Sequence, residues 1–520
     1  MIVSESTLRA YNQSRGSTNK RLVCHAPSVN LNFEQTGEVR ACCYNIKHVL
    51  GKWPEKTIKE IWTGSQIKIL RDSIAENNLG GGCIECGRMI EAGNYQGVRA
   101  KYYDEFAGNS IFDKAKSAIR NISGSFSYPK VMEFELSNEC NLECVMCNGS
   151  FSSSIRKNRE KLPPISSPYN GKFVEQLDEF IPHLTDAKFL GGEPFMIDIY
   201  LAIWERIKKI NPSIRIHITT NGTFLNNRVK QLLEGLNAGI ILSIDTIEKE
   251  TYQKIRVNGN YEKVMENLEY FRAYTARQKT FISIAACPII YNWKEMPALL
   301  DFCLSKNIAL YFNAVFTPHE LSLREQTSEY LQEVITLLES HSLPSRNGTV
   351  LSPHNLSLNA YQDFLKLLKG WQEEKVKWNE RVEEVYHSAQ KERKKSELAW
   401  SLESIRESIA ALSSIEGEDQ FQQQEDLQDL LGNLLVKSPP EKLSEAMMFY
   451  IYGESNTIAQ THEESLLSKV NTIADMVNAH PKRNEILKQT AKASPAYFAA
   501  MIQHSSIQEL KGNLKTFFST

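Results

Sequence analysis

From Tyr128 to Thr317 the chain alternates short apolar runs with amphipathic stretches, and few patterns restrict a fold as tightly. The strand-like runs are Val131–Leu136, Ala187–Leu190, Arg215–Thr219, Gly239–Ile244, Phe281–Ala285 and Ala309–Val315. Between them, Gly171–Ile181, Tyr200–Ile210, Asn227–Leu236, Tyr261–Thr275 and Met296–Ser305 carry apolar residues at helical spacing. Repeated strand–helix units dictate a parallel sheet, because each crossover returns the chain to the same end of the sheet. Roughly six units are too few for a closed eight-fold barrel, so the expectation is an α/β partial (β/α)6 barrel. Its chemistry belongs in the loops at the C-terminal ends of the strands.

Those loops hold an unusual concentration of sulfur. Ten cysteines fall in 520 residues: Cys24, Cys42, Cys43, Cys83 and Cys86 lie upstream, and Cys140, Cys144 and Cys147 follow the first barrel strand. Cys287 and Cys303 stand alone, and the C-terminal third has none. Residues Met1–Arg21 lack the apolar core of a signal peptide, and no run of about eighteen apolar residues offers a membrane span. The expected compartment is the cytoplasm, where thiols stay reduced and clustered cysteines point to metal before disulfides.

The segment Glu133-Phe-Glu-Leu-Ser-Asn-Glu-Cys140-Asn-Leu-Glu-Cys144-Val-Met-Cys147-Asn148 spaces its thiols C-x3-C-x2-C. Such a loop can wrap three corners of a cubane iron–sulfur cluster and leave the fourth iron open. A structural zinc site wants a fourth ligand, and no nearby Cys or His supplies one.

This pattern resembles the radical SAM (S-adenosylmethionine) superfamily. Further segments, each ending a strand-like run, agree with it: Gly191-Gly192-Glu193-Pro194, Thr219-Thr220-Asn221-Gly222-Thr223, and Ser243-Ile-Asp245 followed by Arg256. The resemblance implies that Glu193 and the backbone around Gly191, Gly192 and Pro194 hold the SAM amino group. It implies that Thr219 and Asn221 line the ribose, and that Ser243, Asp245 and Arg256 receive the carboxylate. It further implies one-electron cleavage of SAM at a 4Fe–4S cluster on Cys140, Cys144 and Cys147, giving a 5′-deoxyadenosyl radical that abstracts hydrogen from a substrate. The electron would come from a donor such as flavodoxin or ferredoxin.

Upstream, Cys24, then Cys42-Cys43, then Cys83-x-x-Cys86 fit a structural zinc or a fully ligated iron–sulfur cluster equally well on spacing. The segments Gly37-x-Val39-x-x-Cys42, Thr57-Ile58-x-Glu60-Ile61-Trp62, Leu70-Arg71 and Cys83-x-x-Cys86 resemble a twitch or SPASM domain. Such domains usually follow the radical SAM core, whereas here the match precedes it. The resemblance implies one auxiliary 4Fe–4S cluster on Cys24, Cys42, Cys83 and Cys86, with Cys42 favoured over Cys43 by its place after Gly-x-Val. Ile61 and Trp62 read as core. Cys287, at a strand end, is a weak candidate for a catalytic thiol, and Cys303 reads as core.

The expected organisation is an auxiliary iron–sulfur domain over residues 1–121, the partial barrel over 128–317, and an all-helical region over 318–520. In the first, Asn30–Phe33 and Glu38–Cys42 read as a small hairpin, and Thr57–Trp62 and Ile67–Ile74 as helical. In the last, Asp363–Leu398 is dense in charge, Gln420–Asp429 is acidic, Pro439-Pro440 interrupts, and Leu443–Tyr452 and Leu466–Val477 read as helices. Sixty basic against sixty-two acidic residues leave a charge of -2, which gives no footprint for bulk nucleic-acid binding. Twitch and SPASM resemblance points to a peptide or protein substrate. A dehydrogenase or epimerase of a sugar or aminocyclitol is the small-molecule alternative, and a zinc-stabilised scaffold the non-enzymatic one.

Overall fold

The structure, a computed structural model, describes residues 2–15, 22–91, 93–95, 97–107 and 127–393, with side chains described as far as residue 377. The acidic stretch Gln420–Asp429, Pro439-Pro440 and the helices expected at Leu443–Tyr452 and Leu466–Val477 lie outside the described residues. The chain divides into two compact units, one of Met1–Asn313 with Leu343–Tyr361, the other of Ala314–Ser342 with Gln362–Thr520.

The first unit is built on one nine-stranded sheet. Its strands are β1 (Asn30–Glu34), β2 (Glu38–Arg40), β3 (Gly51–Lys52), β4 (Val131–Glu135), β5 (Asp186–Phe189), β6 (Arg215–Thr220), β7 (Ala238–Ser243), β8 (Ile282–Ala286) and β9 (Ala309–Phe312). The order is β3-β2-β1-β4-β5-β6-β7-β8-β9. Strands β4 to β9 pair in parallel in chain order, which is the partial (β/α)6 barrel. Helices Gly171–Leu177, Asp198–Ile210, Asn227–Leu233, Tyr261–Gln278 and Met296–Lys306 supply crossovers.

The upstream hairpin is not a separate piece. β1 pairs with β4 in parallel, Asn30 opposite Val131 through Glu34 opposite Glu135, so β1–β2–β3 lengthen the barrel sheet. One sheet therefore holds strands from both the region expected as the auxiliary domain and the region expected as the barrel.

Strand alternation gives this sheet two unlike faces. Leu31, Phe33, Phe134, Phe189, Ile216, Ile218, Ile240 and Leu242 are buried on the helix side. Phe134 stacks between Phe33 and Phe189, with ring centroids 5.5 and 4.9 Å away. Phe173 and Trp204 meet these rings edge-on from the crossover helices. The opposite, inner face is polar: register sets Asn32, Glu133, Lys188 and His217 side by side. A 3-10 turn at Arg99–Asp104 lies against that row, with Arg99 bonded to Glu133 at 2.7 Å and Lys188 Nζ 3.1 Å from the Tyr102 ring centroid. At the β9 edge Ser357 Oγ accepts from Leu310 N at 2.9 Å, which occupies one of the groups a further strand would pair with.

In the second unit, helix Ser328–Ser340 buries Leu331, Val334, Ile335 and Leu338 at helical spacing. From Gln362 on, the long helix Pro353–Arg393 runs alongside it, where Lys369 pairs with Glu339 and Gln372 bonds to Gln332. The described elements from His319 to Arg393 are all helices or 3-10 turns, with a loop over 341–352 between the two long ones.

Candidate functional site

Parallel pairing delivers five loops to one edge of the sheet. β4 runs into Cys140, β5 into Gly191, β6 into Asn221, β7 into Asp245 and β8 into Cys287. The three-cysteine loop is held by short-range bonds rather than by regular structure. Cys140 N donates to Ser153 Oγ at 3.1 Å, Ser152 Oγ donates to Leu142 O at 2.6 Å, and Asn138 donates to Gly149 O at 2.9 Å. Glu143 N and Val145 N donate to Val257 O and Ile255 O, tying the loop to the segment that carries Arg256.

The Gly191-Gly192 turn packs directly on this loop. Both glycines have positive φ, +75° and +45°, and a Cβ on Gly192 would sit 2.2 Å from Glu139 O. Only glycine allows that approach, which lets Glu193 N donate to Glu139 O at 2.7 Å. The Glu193 side chain is fully buried, and its oxygens accept from Thr220 Oγ1 at 2.7 Å, Asn221 N at 2.7 Å and Phe195 N at 3.2 Å. Its carboxyl is pushed up to about 7, by burial first, against the pull of those donors. Glu193 thus locks the β5 and β6 loops together, with Pro194 opening the short 3-10 turn behind it.

Two side-chain donors reach the cluster-loop sulfurs. Asn221 Nδ2 lies 3.8 Å from Cys140 Sγ and 3.1 Å from Asn141 Oδ1, and Arg256 Nη1 lies 3.8 Å from Cys144 Sγ. Arg256 is aimed by Asp245, whose Oδ2 accepts from its Nε at 2.6 Å while Oδ1 accepts from Cys287 N at 2.8 Å. Asp245 is therefore engaged with protein on both oxygens, leaving Arg256 as the cation beside Cys144. Ser243 and Thr219 sit on the inner face at the ends of β7 and β6. Burial pushes the Cys140 and Cys147 thiols up to about 11, and Cys287 to about 12. Buried thiols keep their protons until a metal displaces them, so loading such a site releases protons.

The upstream cysteines also converge. Cys24, Cys42, Cys83 and Cys86 line one small cavity, together with Asn45 and Arg99. Cys43 is not on that wall; the charges nearest it are Glu133, Arg99, Glu135 and Lys188, on the inner face of the sheet. The two neighbouring thiols lie in the turn closed by the bond from Asn45 N to Cys42 O, and the turn separates them. Each cavity sulfur has an N–H nearby: Ala26 N is 3.3 Å from Cys24, Asn45 Nδ2 is 3.4 Å from Cys83, and backbone groups serve Cys42 and Cys86. Thiolates bonded to iron are the acceptors such donors suit. Among the described residues no three of these side chains are already closed to metal-bonding distance of a common point. The fit rests on the loop and the cavity that present them. Asn45 and Arg99 carry no motif, and sequence reading misses both.

A three-thiol loop with sulfur-directed donors, beside a second four-thiol cavity on the same sheet, defines a protein built for two iron–sulfur centres. Residues 134–303 match the profile of the Radical SAM superfamily, and residues 24–87 match that of SPASM, an iron–sulfur cluster-binding domain. The chain carries a radical SAM domain with an auxiliary-cluster domain ahead of it, and its cofactors are 4Fe–4S clusters and SAM.

Relatives are similar over about a third of the chain. A probable GTP 3′,8-cyclase of Methanococcus maripaludis (strain C5) is 29% identical over 184 residues, 34% of this chain and 55% of that protein. The GTP 3′,8-cyclase of Limosilactobacillus fermentum is 27% identical over 212 residues, 38% of this chain and 58% of that one. The chain thus spans little more than half the length of these curated relatives. Among solved structures, Streptococcus suis SuiB bound to S-adenosylmethionine aligns at 15% identity and a TM-score of 0.32, over 54% of this chain and 61% of that one. Among the described residues no helix is long and apolar enough to cross a membrane.

Proposed function

We propose that this chain is a radical SAM enzyme that abstracts hydrogen from a peptide or protein bound on the inner face of the sheet. Bound at the cluster on Cys140, Cys144 and Cys147, SAM supplies a 5′-deoxyadenosyl radical by one-electron cleavage. The protein's share is positional: Glu193 fixes the β5 and β6 loops, and Asp245 aims Arg256 at the cluster loop. Ser243, Thr219 and Asn221 stand at the same edge to meet SAM. A flavodoxin or ferredoxin is the proposed donor, in the cytoplasm.

The charge balance of the inner face carries the choice of substrate. Lys188 and Arg99 are matched by Glu133, Arg215 and His217 by Asp186, and Arg40 by Glu34 and Glu38. Glu135, by contrast, faces Glu34 across the strand pair, and among the described residues no cation pairs with it. A nucleoside triphosphate would bring several negative charges to a face where, among the described residues, the carboxylates Glu34, Glu38, Glu133, Glu135 and Asp186 outnumber the cations Lys188, Arg99, Arg215 and Arg40. A peptide with neutral or basic side chains meets no such repulsion. An aminocyclitol satisfies the same condition through its amines and is the second reading.

The test incubates reduced, iron-reconstituted enzyme with SAM and, in turn, peptides encoded beside its gene, aminocyclitols and GTP. A peptide-dependent rise in 5′-deoxyadenosine with a change in peptide mass or stereochemistry is expected. Stimulation by GTP or an aminocyclitol alone would overturn the peptide reading, and zinc in place of iron would overturn the radical one.

A further inference from the structure

The turn that follows Cys42 and Cys43 brings one side chain back to the auxiliary cavity. Asn45 is 1% exposed, and its backbone N donates to Cys42 O at 3.2 Å. Its side-chain Nδ2 donates to Gly81 O at 3.0 Å and lies 3.4 Å from Cys83 Sγ. Its Oδ1 accepts from His48 N at 3.2 Å. The amide cannot be turned over, because a flip would set oxygen against the Gly81 carbonyl and NH₂ against the His48 N–H. Gly82 makes the approach possible: its φ is +86°, and a Cβ there would lie 2.2 Å from Asn45 Oδ1.

We infer that Asn45 is a positioning residue that raises the reduction potential of the auxiliary cluster through an N–H···S bond to Cys83. The inference rests on the reading that the four-thiol cavity holds that cluster. A sulfur bonded to iron carries more negative charge when the cluster gains an electron, so a donor aimed at it favours the reduced state. Of the four sulfurs, Cys24 receives a backbone N–H and backbone groups lie near Cys42 and Cys86, donors that only a proline substitution would delete. Cys83 receives a side chain. Its donor is the one of the four that a side-chain substitution removes without touching the backbone. The same amide joins the turn bearing Cys42 to the turn bearing Cys83, so the donor is fixed in place by the two segments that supply ligands.

The experiment uses the full chain with Cys140→Ala, Cys144→Ala and Cys147→Ala, so that only the auxiliary cluster is present. Iron analysis comes first: no iron in this protein would overturn the cluster reading, and the inference with it. With iron present, redox titration followed by electron paramagnetic resonance compares Asn45 with Asn45→Leu and Asn45→Asp. Removing the donor is expected to disfavour reduction about tenfold, about 59 mV for one electron. Asn45→Asp keeps the acceptor for His48 N but adds a negative charge, and is expected to shift further in the same direction. Iron retained with a potential moved less than about twofold in equilibrium constant overturns the inference alone. Should either variant lose its iron, the chain with Asn45 intact and its asparagine side chains labelled with ¹⁵N decides. A nitrogen coupling to the reduced cluster supports the bond, and its absence overturns it.

Discussion

Asp245 grips Arg256 through a 2.6 Å bond between Oδ2 and Nε, with the carboxylate fully buried and the guanidinium nearly so. The same arginine faces Cys144, so one ion pair connects the end of β7 to the cluster loop. Removing the carboxylate strands a buried cation. Asp245→Ala is expected to cost about 3–5 kcal/mol of stability, measured by chemical denaturation of the iron-free protein. A loss below about 1 kcal/mol would mean that Arg256 finds another partner.

Gly192→Ala tests the contact between the Gly-Gly turn and the cluster loop. The added Cβ meets Glu139 O at 2.2 Å in a left-handed backbone. A cost of about 1–3 kcal/mol or more is expected, together with loss of the cluster on Cys140, Cys144 and Cys147. Denaturation and iron analysis on one preparation check both effects. Full iron at unchanged stability would show that the turn can move away.

Iron analysis also separates the adjacent thiols. Cys42→Ser is expected to remove one cluster, about four of about eight irons per chain, because Cys42 lines the cavity. Cys43→Ser is expected to keep both, because its surroundings are the ion pairs of the inner face. Equal losses in the two variants would contradict the division.

Much of this was legible beforehand. The barrel strands lie within a residue or two of the apolar runs in the sequence, except that β9 stops at Phe312, and each is followed by the polar loop expected of a parallel sheet. The pairing of β1 with β4 was not legible, because about a hundred residues separate Asn30 from Val131 and alternation does not say which strand a neighbour will be. Asp245 and Arg256 were visible as a motif; that they bind each other first is a fact of burial. The orientation of Cys43 depends on a turn whose dihedrals leave no mark in residue type.

Glu135 gives the clearest pH dependence. Its carboxyl is pushed up to about 7, by burial first and then by Glu34 and Glu133. A carboxyl raised on folding holds its proton more tightly in the native chain. Its contribution is therefore fullest below the ordinary carboxylate range and is lost as pH rises through about 7. Glu135→Gln is expected to flatten this loss, gaining up to about 3 kcal/mol relative to the parent between pH 5 and pH 8. Denaturation curves at the two pH values measure it, and parallel changes in both proteins would refute it.

The parallel pairing of Asn30–Glu34 with Val131–Glu135 has a consequence for how the chain can be taken apart. A protein expressed from residue 128 onward would expose the full hydrogen-bonding edge of β4, the strand that leads into Cys140. A piece ending at residue 121 would leave β1 with no parallel neighbour. Neither half is a transplantable cassette, and anyone dissecting this protein would do better to silence cysteines than to cut between them.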